Sequence, residues 1–115
     1  AAFLQLVLGA LLRHTGALVP LHVLWAFAVL LLASAAAFTA WRRGPAALSG
    51  PAWLVALVIP LQLGLGLYAY RVRLDPTMVI DFRDAALWRT AHLVGGALTL
   101  ASLLTLALRA RRLAR

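Results

Sequence analysis

His22 and His92 are the two side chains best placed to do chemistry. Each sits about one turn inside an apolar run of membrane length, where an ionisable group is expensive and needs a partner. Each run ends in arginines, Arg42 and Arg43 for the first and Arg109 to Arg112 for the second. The two runs therefore point the same way, and both imidazoles lie at one depth. A neutral imidazole nitrogen is a standard axial ligand for haem iron. Two of them facing each other can grip a haem iron from both sides, with each second ring nitrogen donating elsewhere, often to a backbone carbonyl. The competing reading is a pair of interfacial side chains reaching for lipid headgroups.

Other residues join this pair by position. Gly96 lies one turn below His92 on nearly the same face, where a missing side chain leaves room for a porphyrin edge; Ala26 holds the matching place after His22. Small residues at this spacing equally serve close helix packing. Gln5 and Gln62 occupy repeat-related positions in apolar helices, where each either bonds a neighbouring helix or touches a cofactor. His14 follows Arg13 at the end of the first apolar run. It either caps a haem edge or propionate, relays protons, or only faces water. Propionates need cationic partners, and Arg89, one turn before His92, is the first choice, with Arg13 second. For Arg71 and Arg73, aspartate pairing or headgroup contact is the better reading.

The elements that must position these groups are membrane helices. Of 115 residues, 64% are hydrophobic and only 12% charged, too apolar a mixture for a soluble domain of this size. The formal charge is +8, every basic residue is arginine, and glutamate is absent. The arginines cluster at the ends of apolar runs and form no stripe on a polar face, so they speak for membrane anchoring and against nucleic acid. Without cysteine the chain forms no disulfide, thiolate metal site or thiol nucleophile of its own. It opens on Ala1-Ala2, already inside an apolar run, as expected of a fragment, a processed product or the ordered part of something longer. No charged segment precedes that run to mark a signal peptide.

A single all-α domain is expected over residues 1–115, a transmembrane four-helix bundle running up-down-up-down. The helices are placed at about 1–12, 21–41, 52–70 and 87–108, the first being the truncated end of a span, since a full crossing needs about 20 residues. Arg13-His14-Thr15-Gly16 breaks the first helix, Pro20 opens the second, and the stretch from Arg42 to Pro51 turns. Pro60 predicts a kink or a local contact in the third. Between Arg71 and Arg83 the chain is most polar, with a short interfacial segment around Met78 to Ile80. In a square bundle taken in order, the second and fourth helices are diagonal, which sets the histidines across the centre.

Arginine bias gives the orientation. One end carries Arg42, Arg43, Arg109, Arg111, Arg112 and Arg115 with no acid; the other carries Arg13, Arg71, Arg73, Arg83 and Arg89 offset by Asp75, Asp81 and Asp84. The first end, with the C-terminus, is expected in the cytoplasm and the histidines near the outer face of a bacterial inner membrane. An internal repeat supports a symmetric layout. Leu4-Gln5-Leu6-Val7-Leu8-Gly9 matches Leu61-Gln62-Leu63-Gly64-Leu65-Gly66, and each is followed by a histidine-bearing helix. The implied axis lies along the membrane normal.

These residues together resemble the haem A synthase family. The similar pieces are Gln5 to Ala17 with its Arg13-His14-Thr15-Gly16 stretch, then His22, then Leu61 to Gly66, then Ala91-His92-Leu93-Val94-Gly95-Gly96-Ala97. The family is built from two related four-helix halves, each with a histidine pair on its second and fourth helices. The resemblance covers nearly the whole chain as one such half and is nearer the C-terminal half, which implies a haem b (iron protoporphyrin IX) held by His22 and His92. The chain departs from the family where Val23 replaces an arginine after the ligand. It also lacks a cysteine-bearing outer loop between Gly16 and His22, and has no glutamate. These departures bear on oxidation of the haem methyl group and leave the b-type site intact.

Three functions follow as expectations. The leading one is a haem b-binding electron-transfer module, or a subunit of a haem A synthase-like protein, with the two histidines as ligands. The second is a catalytic haem A synthase half. The third is a haemless accessory subunit of a respiratory or photosynthetic complex. Expected partners are the lipid bilayer and either a second four-helix half or a larger membrane complex.

Overall fold

The computed structural model describes residues 1–74, 77 and 80–115. Four α-helices carry the described chain: α1 (Ala2–Thr15), α2 (Val19–Arg43), α3 (Ser49–Leu74) and α4 (Phe82–Leu113), with a single 3-10 turn at Ala46–Leu48 before α3. No strand occurs among the described residues. Three helices are long and apolar enough to cross a membrane, and the fold is an all-α bundle of a multi-pass membrane protein. The described residues span 52 Å along the bundle and 22 by 17 Å across it, against a hydrocarbon thickness of about 30 Å. α1 has 14 residues, so at about 1.5 Å per residue it covers only part of that depth.

Each helix outruns its apolar core. α1 continues through Arg13 and His14 and stops at Gly16, whose φ of 70° closes the end in a left-handed cap. The polar stretch therefore terminates the helix from within and does not break it at Leu12. α2 begins at Val19 with Pro20 in its first turn and ends at Gly44. α3 starts at Ser49 and runs unbroken through Pro60. α4 gains five residues at each end over its apolar stretch, from Asp81 at its N-cap position to Leu113. Helices end where caps end them, whereas hydropathy marks only where lipid begins. Asp75, Met78, Val79 and the Arg73 side chain lie outside the described residues, and with them the expected segment around Met78 to Ile80.

Neighbours pack in a ring: α1 on α2, α2 on α3, α3 on α4, and α4 back on α1, with α3–α4 the most extensive contact. α2 and α4 are thus diagonal. The packed core lies toward the arginine end, where Ala33 and Ala37 of α2, Ala52, Val55 and Ile59 of α3, and Leu106 of α4 close around Leu48. Three of these seven residues are alanines, as suits helices in lipid, which associate by close packing without a hydrophobic drive between them. Thr99 and Ser102 are also buried in α4. Their hydroxyls donate to the carbonyls of Gly95 and Leu98 at 2.8 and 2.7 Å, so neither is left unpaired. Aromatic pairs mark the two ends: Trp41 against Trp53, with Arg42 over the Trp41 ring, at one, and Tyr68 against Trp88 at the other. This placement fits interfacial belts.

Candidate functional site

Two helix pairs build the site in the same way. In the first, the Gln5 side-chain amide reaches from α1 to α2 and donates to His22 Nε2 at 3.2 Å and to the His22 carbonyl at 3.1 Å. In the second, Gln62 reaches from α3 to α4 and donates to His92 Nδ1 at 3.1 Å and to the His92 carbonyl at 2.9 Å. An amide N–H cannot accept, so in each case the ring nitrogen is the acceptor. One turn beyond each glutamine stands a glycine. A Cβ on Gly9 would lie 3.2 Å from His22 Cε1, and one on Gly66 would lie 2.8 Å from His92 Cε1. The glycines are therefore the floor on which each imidazole rests. Glutamine and histidine are 17 residues apart in the first unit and 30 in the second, so the motif survives a large difference in connection length.

The units bring their histidines together. The ring centroids of His22 and His92 are 6.5 Å apart and their planes cross at 81°. Two imidazoles that ligate one ion from opposite sides, each with a metal–nitrogen bond of about 2 Å, have centroids about 6 Å apart. Among the described residues no three of His, Cys, Asp and Glu converge. Two donors alone leave most ions half coordinated, while a planar macrocycle brings four nitrogens and needs only two axial ligands. Two imidazoles alone are therefore too few donors for a bare ion. Among the described residues, the buried side-chain nitrogens and oxygens without a partner are Gln5 Oε1, Gln62 Oε1 and His22 Nδ1, and all three belong to this cluster. Buried polar atoms of this kind call for an explanation.

The remaining expected residues are placed as follows. Gly96 faces Leu6 and Gln62, which take up the room beside it. Gly95 faces Gln62 and Leu65, so the glycine pair of α4 makes space for the glutamine clamp. Arg13, His14 and Arg89 are exposed at the histidine end, and none makes a hydrogen bond or ion pair among the described residues. Thr15 closes α1 by donating to the Leu11 carbonyl and accepting from the Ala17 N–H. That gives the Arg13-His14-Thr15-Gly16 stretch a capping role. Sequence reading missed Gly9, Gly66 and Gly95 as site residues. The signal for the first two was present in the matched Leu-Gln-Leu hexapeptides, each ending in glycine. No protein-family model, curated protein or solved structure matches this chain.

Proposed function

We propose that this chain is a haem b-binding membrane electron-transfer module, or a subunit of a haem A synthase-like protein, with His22 and His92 as the axial ligands. The observation that carries the reading is the approach of the two imidazoles on diagonal helices, 6.5 Å between centroids with their planes at 81°. Held by His22 and His92, such a haem would supply reversible one-electron chemistry. The protein's part is to hold and orient. α2 and α4 present the rings, Gln5 and Gln62 fix them, Gly9 and Gly66 let them lie close to the neighbouring backbone, and the lipid-facing leucines keep water out. Arg89 and Arg13 stand at the same end, where cations suit carboxylate propionates. The resemblance of the histidine and glutamine segments to haem A synthase supports the same assignment. On arginine bias the C-terminus lies in the cytoplasm of a bacterial cell and the haem near the outer face of its inner membrane. The partners on this reading are lipid and a second four-helix half or a larger membrane complex.

The test is a visible spectrum of the purified protein. Paired α and β bands on reduction, absent in His92→Ala, with extracted haem identified by mass as protoporphyrin IX iron, are the expected result. No absorbance after expression with ample haem would overturn the reading and leave a haemless accessory subunit in its place.

A further inference from the structure

An imidazole ligates through a nitrogen lone pair, so each ring must carry its proton on the nitrogen that does not ligate. In this structure the glutamines occupy one nitrogen of each ring as donors. That forces the proton onto the other nitrogen, Nδ1 in His22 and Nε2 in His92. Each neutral ring has one nitrogen lone pair, and the glutamine engages it, so neither ring has one free for a metal. The clamp also leaves three buried atoms unpaired: both glutamine oxygens and His22 Nδ1.

A half-turn of each carboxamide about its last side-chain torsion resolves this. It presents Oε1 to the ring nitrogen and turns that nitrogen into the donor. The ring loses the proton on one nitrogen and takes one up on the other by exchange with water, with no change in net charge. The half-turn gives up the bond to the histidine's own carbonyl and gains an acceptor for the ring N–H. Two neutral hydrogen bonds, to the ring nitrogen and to the carbonyl, are exchanged for one, so the bridging orientation is favoured in the empty site and a metal–nitrogen bond is what shifts it. We propose that Gln5 and Gln62 are positioning residues that select the tautomer of His22 and His92, bridging ring and backbone when the site is empty and accepting from the ring when a metal is bound. The second half of this proposal rests on the haem reading; the first half stands without it.

The mirror-image engagement of the two rings gives a specific expectation. Gln5 takes Nε2 and Gln62 takes Nδ1, so the cofactor-free protein holds its two histidines in opposite tautomers. Nitrogen NMR of the full chain with labelled histidine, prepared haem-free in lipid nanodiscs, reads this directly. Wild type is expected to show His22 as the Nδ1–H form and His92 as the Nε2–H form. Gln62→Glu, whose carboxylate only accepts, is expected to switch His92 to Nδ1–H and leave His22 unchanged. Gln62→Leu is expected to give His92 a mixture. Gln5→Glu and Gln5→Leu repeat the test on the shorter helix pair, and helical circular dichroism establishes that each variant folds. In the haem-loaded protein, Gln62→Glu is expected to favour the oxidised state by on the order of tenfold, about 59 mV for one electron, because a carboxylate makes the ligand a stronger donor. Tautomers that ignore both glutamine substitutions overturn the proposal even where haem binds normally. Tautomers that switch as described, in a protein without haem absorbance, support the clamp and remove only the haem reading.

Discussion

The α1–α2 pair and the α3–α4 pair carry one motif under different mechanical conditions. In both, a glutamine and a glycine one turn apart on the first helix hold a histidine on the second. In α3–α4 that histidine lies ten residues inside a 32-residue helix, between the buried Ala85 and Gly95. In α1–α2 it lies three residues after the helix begins. The connection before it holds two left-handed residues, Gly16 with φ 70° and Leu18 with φ 69°. A leucine in that conformation costs roughly 1–2 kcal/mol. Near His22 the only buried apolar side chain of α1 is Leu8, and the buried residues of α2 begin at Val29. The same side-chain chemistry thus has a stiff copy and a compliant one. On the haem reading, His92 would be the anchor and His22 the ligand that can adjust.

The largest expected effect breaks this comparison if it is wrong. His92→Ala is expected to abolish bound haem, while His22→Ala keeps a measurable fraction that added imidazole converts back to the wild-type spectrum. The check is haem stoichiometry in purified protein, with and without imidazole. Equal losses in the two variants would mean that the helix pairs hold their rings alike.

The glycines sharpen the same contrast. Alanine at position 66 would place a Cβ 2.8 Å from His92 Cε1, a separation that side chains do not tolerate, while at position 9 the separation from His22 is 3.2 Å. The imidazole must give way, and His92 is tied at ring and backbone by Gln62. Overpacking of this kind costs about 1–3 kcal/mol. Gly66→Ala is expected near the top of that range with a shifted haem spectrum, and Gly9→Ala near the bottom with a small shift. Denaturant unfolding in detergent, followed by tryptophan fluorescence, ranks the two.

A second contrast runs along the bundle. The arginine end is packed by small apolar residues around Val55, which is 1% exposed; the histidine end is held by polar contacts. Val55→Ala removes packing atoms with no polar partner nearby, and a loss of roughly 1–2 kcal/mol is expected. The absorption spectrum should stay unchanged. A spectral shift would show that the two ends are mechanically coupled.

Much of this was legible in the sequence. The number of helices, their order, the diagonal placement of α2 and α4, and the approach of His22 to His92 all follow from apolar runs and the arginines that end them. Helix ends were not legible to the same degree. Phe82 to Ala86 and Arg109 to Leu113 are too polar for lipid and yet helical, because backbone hydrogen bonding continues in the interface. Gln5 and Gln62 stood out as polar residues in apolar runs, but a partner on another helix has no trace in one chain's spacing. The glycines were hidden for a similar reason. Gly9 and Gly66 serve a ring on the next helix, and Gly96, read as room for a porphyrin, faces Leu6 and the Gln62 amide.

The smallest expected effect concerns the exposed arginines. Arg89 lies one turn from His92 on α4, and Arg13 ends the helix that carries Gln5. Both side chains are exposed, so any bond to a propionate competes with water and is screened by salt. Such a bond contributes about 1 kcal/mol or less, which corresponds to no more than about a fivefold change in the rate at which haem is lost. Arg89→Gln is expected to speed haem transfer to apomyoglobin by about that factor at low ionic strength, and hardly at all in molar salt. Arg13→Gln should do less, because its helix belongs to the compliant pair and can drift from the haem edge. If Arg13→Gln instead has the larger, salt-resistant effect, then α1 is held as firmly as α4, and the assignment of stiffness to the second helix pair must be reversed.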